Sequence, residues 1–223
     1  MNCPDPGFSI HKSVFDGAVM LEVLEAFDRA ELTRTRAGAR HVLRVPAVRA
    51  LASDPAMLQI AREYVGAQAF PFRATLFDKS VVSNWLVAWH QDTALPIQRQ
   101  GDGSGWGPWS EKGGVLHAIA PATALGQVIA LRVHLDDSTS ENGPLRVLPG
   151  THVNGVLSQS QIETLAATVP PVDCLVGRGG VVAMRPLTVH ASSKSRGDQP
   201  RRVLHVEFTT TVHLDTGIEL AVG

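Results

Sequence analysis

VAWHQD, residues 87–92, closes an apolar run with a histidine and an aspartate two positions apart. In a β-strand successive side chains alternate between faces, so residues i and i+2 stand side by side. His90 and Asp92 would therefore offer a neutral nitrogen donor and a hard anionic oxygen donor to the same point. That is most of a metal site. The rest of the chain is read for a third ligand and for a fold that carries it there.

The segments 69–77, 84–92, 127–136, 144–149, 179–186 and 201–212 also read as strands. Turn signals separate them, among them Asn142–Gly143 and VGRGG at 176–180. Upstream the pattern is helical. Residues 13–32 place Val19, Leu21, Val23, Leu24 and Phe27 at helical spacing. A basic polar stretch, TRTRAGAR (33–40), follows. Asp54–Pro55 is a helix start, Asp as N-cap and Pro at the first helical position. Met57, Ile60, Ala61 and Val65 would line one face of that helix, with Gly66 ending it. A short helix is expected over 158–169, with Ser160 and Glu163 at capping-box spacing. Helices first and strands afterwards predict an α+β class with a mainly β core, a sandwich or barrel backed by N-terminal helices. Residues 93–126 fit no element. They are Gly-rich and hold Trp106 and Trp109, and are expected to form a lid loop on a single domain spanning 1–223.

Composition narrows the function. The 223 residues carry Lys+Arg 20 against Asp+Glu 21, a net charge of -1. This gives no electrostatic reason to expect nucleic acid or an anionic membrane as partner. Hydrophobic content of 44% supports a core without covalent staples. Cys3 and Cys174 are too few and too far apart for a disulfide framework. The N-terminus lacks the basic and apolar regions of a signal peptide, and no run is long enough to span a bilayer. The expectation is a cytoplasmic protein, monomer or homodimer.

Nine histidines compete for the third ligand position. His190 stands out by context, on a short apolar strand after the Pro186 turn. His152 follows a Pro–Gly turn, which suits the rim of a sheet. Two histidines and one carboxylate leave coordination positions open, which suits ferrous iron binding a co-substrate and dioxygen together. Zinc hydrolysis is the competing use of the same set. An iron site fed by 2-oxoglutarate also needs a planar, doubly donating partner for the far carboxylate, which is arginine. Arg201 and Arg202 open the last long strand, and alternation lets only one of them face inward. Two alternatives stay open: another metal-dependent enzyme on a cupin-like barrel (zinc hydrolase or isomerase), and a non-catalytic jelly roll that binds a ligand.

Taken in order, WHQD (89–92), LDDSTSENGPLRVLPGTH (135–152) and RPLTVHASSKSRGDQPRRVLHVEF (185–208) resemble the phytanoyl-CoA dioxygenase family of Fe(II)- and 2-oxoglutarate-dependent oxygenases. The resemblance runs from about Phe72 to Phe208. It implies a double-stranded β-helix, or jelly roll, and makes His90, Asp92 and His190 the iron ligands and catalytic centre. Arg201 would pair with the 5-carboxylate of 2-oxoglutarate, assisted by Ser192 or Ser193. Gln91 and Lys79 become further candidates for contact with the co-substrate. Arg132, where other members carry an aromatic, would bind co-substrate or a substrate carboxylate; an outer-face arginine is the competing reading. The NGPLRVLPGTH hairpin would sit at the barrel rim and keep His152 off the metal. With Asp92 present, hydroxylation of a small organic metabolite by dioxygen is expected, with release of succinate and carbon dioxide. Trp106, Trp109 and His117 are the candidates for a substrate pocket under the lid, whereas alternation turns Trp85 and Trp89 away from His90.

Overall fold

The computed structural model describes residues 5–80, 83–101 and 103–223. In chain order the elements are β1 (Phe8–His11), α1 (Gly17–Arg29), β2 (Arg34–Thr35), β3 (Gly38–Arg40), α2 (Pro46–Ala52), α3 (Pro55–Val65), β4 (Phe70–Lys79) and β5 (Val87–His90). There follow β6 (Ala94–Arg99), β7 (Trp109–Lys112), β8 (Val115–Ile119), α4 (Ala122–Leu125), β9 (Ile129–His134), β10 (Leu145–Val147), α5 (Gln159–Thr168) and β11 (Val172–Cys174). The chain ends with β12 (Val181–Met184), β13 (His190–Ser192), β14 (Arg201–Thr209), β15 (His213–Asp215) and β16 (Ile218–Leu220).

Three antiparallel sheets result. The major sheet runs β1-β12-β9-β14-β4-β3-β2, the minor sheet β11-β10-β13-β5, and the third β15-β16-β6-β8-β7. Period-two alternation builds the major sheet. Leu204, Val206 and Phe208 of β14, Ala74 and Leu76 of β4, and Ile129, Leu131 and Val133 of β9 form one face. Met20, Val23 and Phe27 of α1, Leu51 of α2, and Met57 and Ile60 of α3 cover it. The other positions of the same strands, among them Arg201, His205, Arg132 and Thr75, face the minor sheet across a cleft. At one end the two sheets close on each other through Leu145, Val147, Cys174, Val182 and Met184. This is the expected double-stranded β-helix backed by helices.

Local signals account for several element ends. Asp16 caps α1 by accepting from the Ala18 and Val19 amides, and Asp54 caps α3 through Ala56. The capping box of α5 is Ser158 with Gln161, two residues earlier than the expected Ser160 and Glu163. The basic stretch 33–40 is the β2–β3 hairpin, which lands Arg40 on the edge of the major sheet.

Residues 93–126 depart from the expected irregular loop. They hold β6, the β7–β8 hairpin and α4. Gly113 and Gly114, at φ +61° and +77°, supply the two left-handed positions of a tight hairpin turn. Trp106 and Trp109 pack against the core of this third sheet, with Leu95, Ile97, Leu214 and Ile218. Among the described residues no helix is long and apolar enough to cross a membrane. Cys174 is a free, buried thiol, and Cys3 lies outside the described residues.

Candidate metal centre

The pairing of β5 with β13 sets His90 directly opposite His190. Their ring centroids are 4.2 Å apart. Asp92 lies just past β5, where its backbone N–H donates to the Pro186 carbonyl at 2.9 Å. Its carboxylate reaches both rings, Oδ1 at 3.7 Å from His90 Nε2 and Oδ2 at 3.5 Å from His190 Nε2. One ligand atom from each of the three residues lies within 4.8 Å of the others.

The imidazoles are oriented alike. His90 Nδ1 is 2.9 Å from the Ala88 carbonyl, and His190 Nδ1 is 2.9 Å from the Thr188 carbonyl. A carbonyl accepts only from a protonated nitrogen, so each ring donates from Nδ1 and turns Nε2 toward Asp92. Burial holds His190 neutral and pulls it down to about 4. Burial also pushes the Asp92 carboxyl up, but His190 and the His90 hydrogen bond outweigh that and keep it well below the usual carboxylate range. His90 is lowered by burial as well, yet the bond to Asp92 and its charge leave it raised. Two imidazole nitrogens and one ionised carboxylate, converging with open sides, fit a divalent first-row metal.

The same cavity, ≈ 390 Å³, extends from the triad along the inner face of the major sheet. At one end Arg201, only 4% exposed, points inward. Its Nη2 donates to Ser192 Oγ at 3.2 Å and its Nε to the Asn142 carbonyl at 3.3 Å. Lys79, opposite Arg201 in the β14–β4 register and 1% exposed, donates to Ser192 Oγ at 2.8 Å and to the Ser193 carbonyl at 2.5 Å. The Ser192 hydroxyl donates in turn to the Gly143 carbonyl at 2.9 Å. Gly143 sits at φ +68°, where a Cβ would lie 2.3 Å from the Ser193 carbonyl oxygen, so only glycine fits this crossing. Arg132, 8% exposed, also faces inward: Nη1 contacts His205 Nδ1 at 3.0 Å, the guanidinium lies over Phe77 at 5.2 Å, and Nε has no partner. None of these three cations has a carboxylate partner among the described residues. Burial first, then the neighbouring arginines, brings Lys79 down to about 7, and burial with Arg132 brings Arg201 down to about 10. Arg202, the other strand-opening arginine, faces out and pairs with Asp136.

Other candidates fall elsewhere. Gln91 points away from the metal ligands; its amide donates to Gly155 O and Leu187 O and accepts from Leu157 N, so it ties loops together. Trp106 and Trp109 do not line the cavity, and Trp106 Nε1 donates to Asp215. His117 does line it. Trp89 packs under α5 with Leu148, Ile162 and Val189, whereas Trp85, which precedes β5 and escapes its alternation, lines the cavity beneath Lys79. His152 lies near Asp5, Nε2 to Oδ2 3.8 Å, away from the triad.

Sequence reading missed Arg73, Thr75, Arg40 and Lys112, which line the cavity, and Glu207, which holds Arg73. The alternation of FPFRATLFDK and RRVLHVEFT carries the signal for three of them: Arg73, Thr75 and Lys79 share a face, as do Arg201, His205 and Glu207.

Comparison with known proteins gives the family and the fold. A model of the phytanoyl-CoA dioxygenase (PhyH) family matches residues 17–203. The L-proline trans-4-hydroxylase of Streptomyces griseoviridis is 24% identical, over 69% of this chain and 59% of its own length. The chain thus spans less than two thirds of that relative. AviO1 of Streptomyces viridochromogenes Tue57 superposes with a TM-score of 0.67 at 20% identity, covering 97% of this chain and 93% of that one. EctD of S. alaskensis, solved with 2-oxoglutarate and 5-hydroxyectoine, gives a TM-score of 0.71 at 17% identity, over 92% of this chain and 73% of that one. These structural likenesses are of fold. With the family model covering most of its length, the chain belongs to the phytanoyl-CoA dioxygenase family of Fe(II)- and 2-oxoglutarate-dependent oxygenases.

Proposed function

We propose that this protein hydroxylates a small organic metabolite at the expense of dioxygen and 2-oxoglutarate, releasing succinate and carbon dioxide. The carrying observation is a His–Asp–His cluster sharing one cavity with a buried arginine that lacks any carboxylate partner among the described residues. A zinc hydrolase has no use for that arginine. A dicarboxylate co-substrate does. His90, Asp92 and His190 would hold iron, Arg201 would take the distal carboxylate, and Ser192 would fix the guanidinium. Bound iron and 2-oxoglutarate supply the redox chemistry that activates dioxygen. The protein orients the ligand nitrogens through Ala88 and Thr188, keeps Asp92 ionised, and walls the cavity with the third sheet through Ala94, Lys112 and His117. At ≈ 390 Å³ the cavity lies toward the small end of ligand pockets and must hold both co-substrate and substrate, which favours a small metabolite.

The test is anaerobic titration of Fe(II) and 2-oxoglutarate, followed by a succinate-release screen of small acids, amino acids, terpenoids and acyl thioesters. L-Proline belongs in the panel because of the hydroxylase relative. The expected result is a weak visible chelate band and substrate-stimulated succinate. A folded protein that binds metal without the band would sink the proposal.

Lys79 adds a second expectation. Near pH 8 and above, a lysine brought down to about 7 is mostly neutral. A carboxylate arriving beside it draws the proton back. Binding of 2-oxoglutarate should therefore take up a proton, approaching about one around pH 8.5 and vanishing near pH 6, where the ammonium is already charged. Affinity should weaken as pH rises through that window. Calorimetry in buffers of different ionisation enthalpy reads the uptake directly; a buffer-independent heat at pH 8.5 would remove Lys79 from the co-substrate site.

A further inference from the structure

Arg201 occupies one end of the cleft, and a second cationic group occupies the other. Arg73 lies six residues before Lys79 on β4 and faces the same way. Glu207, 2% exposed, grips its guanidinium in a bidentate pair, with Nη2 to Oε1 at 2.6 Å and Nε to Oε2. Nη2 also reaches the Ala94 carbonyl at 3.4 Å. Nη1 is left without a hydrogen bond among the described residues, on a side chain that lines the cavity. One row along, strand register aligns Arg132, His205, Thr75 and Arg40 across the major sheet. Arg40 and, from the β7–β8 hairpin, Lys112 line the same cavity. Neither has a carboxylate partner among the described residues. His117 beside them is kept neutral by burial, at about 4.

Charge balance shows what this end lacks. A ferrous ion, Asp92, a 2-oxoglutarate dianion and Arg201 together carry no net charge. Glu207 neutralises Arg73 and fixes its direction. Arg132 and Lys79 are uncompensated as well, beside Arg201; at this end Arg40 and Lys112 remain uncompensated on the wall of a partly enclosed cleft, where Coulomb interactions are stronger than in water. A half-buried, anchored guanidinium with Nη1 unbonded among the described residues is a preformed oxyanion partner, and the two rim cations add attraction to it.

We propose that the substrate of this cleft bears an oxyanion group, a carboxylate or phosphate, which docks on Arg73 between Arg40 and Lys112 and leaves the rest of the molecule facing His90, Asp92 and His190. This rests on the oxygenase reading and narrows its substrate class.

The test uses the full chain loaded with redox-inert Mn(II) and 2-oxoglutarate, so that no turnover is needed. Thermal-shift titration is run with a panel of small carboxylic acids, small phosphate monoesters, and the amide or alcohol counterpart of each. Stabilisation by acids or phosphates over their neutral counterparts is expected, and the better arm names the anion. The double variant Arg40→Gln/Lys112→Gln, which leaves no buried charge orphaned, should weaken the best anion about tenfold or more while 2-oxoglutarate affinity holds. Because Arg73→Gln alone would strand Glu207, the paired variant Arg73→Gln/Glu207→Gln is used for the anchor, with the same loss expected. Stabilisation by neutral members equal to the acids, no stabilisation by any anion, or indifference of the rim variant each overturns the assignment. Failure of 2-oxoglutarate itself to stabilise the Mn(II) protein is a different result and defeats the oxygenase reading.

Discussion

Asp92→Asn should remove iron binding and, with it, all substrate-stimulated succinate release. The substitution is nearly isosteric, so geometry is preserved and only the charge is lost. Asp92 is the one anionic member of the candidate cluster, set 3.7 Å and 3.5 Å from the two imidazole nitrogens. Those imidazoles hold it ionised against the effect of burial. An amide in its place leaves two neutral nitrogens to balance a divalent ion. The loss should exceed the roughly 10–100-fold that follows removal of an outer-shell partner, because here the ligand itself is gone. Folding should survive. The contact that positions this turn is the Asp92 backbone N–H to Pro186, which the substitution does not touch. Metal titration by calorimetry with circular dichroism as the fold control decides it. His152→Ala, a histidine near Asp5 and off the triad, should leave metal affinity unchanged. Retention of iron affinity within about tenfold by Asp92→Asn would mean that the metal sits elsewhere.

How this site could be read from sequence depended on the range over which each part is determined. His90 and Asp92 were legible because a strand fixes i and i+2 locally. His190 needed the β5–β13 register, a pairing between distant parts of the chain that periodicity does not encode, and its assignment rested on family resemblance. Arg201 against Arg202 was a question of strand phase, and the apolar residues Leu204, Val206 and Phe208 settle it by putting Arg202 on their own side. Apolar alternation by itself does not mark Arg73 and Glu207, although the polar positions of β4 and β14 carry the same phase. The β7–β8 hairpin escaped for a related reason. Its Gly113–Gly114 turn is a strong local signal, but WSEK before it is too polar to read as a strand. A Gly-rich stretch suggests a lid with Trp106 and Trp109 in the pocket, and the third sheet gives them a core instead. Gln91 neighbours both cluster residues in sequence, but the alternation that pairs His90 with Asp92 turns it away to the loops at 155–157 and 187.

Arg201→Met should separate function from stability in opposite directions. Methionine keeps an unbranched apolar stem and removes the guanidinium. Binding of 2-oxoglutarate should weaken by roughly 100-fold or more, since losing one member of a buried hydrogen-bonded charge pair costs about 2–5 kcal/mol. Metal affinity should change little, because Arg201 contacts Ser192 and Asn142 and none of the three ligands. Arg201→Lys should not rescue, as a single ammonium cannot reproduce the fork that reaches the Asn142 carbonyl and Ser192 together. Stability of the apo-protein should move the other way. In the folded state Arg201 is pulled down to about 10, by burial and by Arg132, below the value it has in the unfolded chain. A cation whose folded-state value is depressed disfavours folding wherever it is charged in both states, which here covers the whole physiological range. Removing it relieves that repulsion, while Ser192 keeps its bonds to Lys79 and Gly143. The melting temperature without ligand should therefore hold or rise, and the rise that 2-oxoglutarate gives the wild type should disappear. Arg201, Lys79 and Arg132 repel one another in the apo-protein, and an arriving dicarboxylate should relax that repulsion. A variant that melts earlier without ligand yet still binds 2-oxoglutarate normally would show that Arg201 is a structural cross-link, and would move the co-substrate anchor to Arg132.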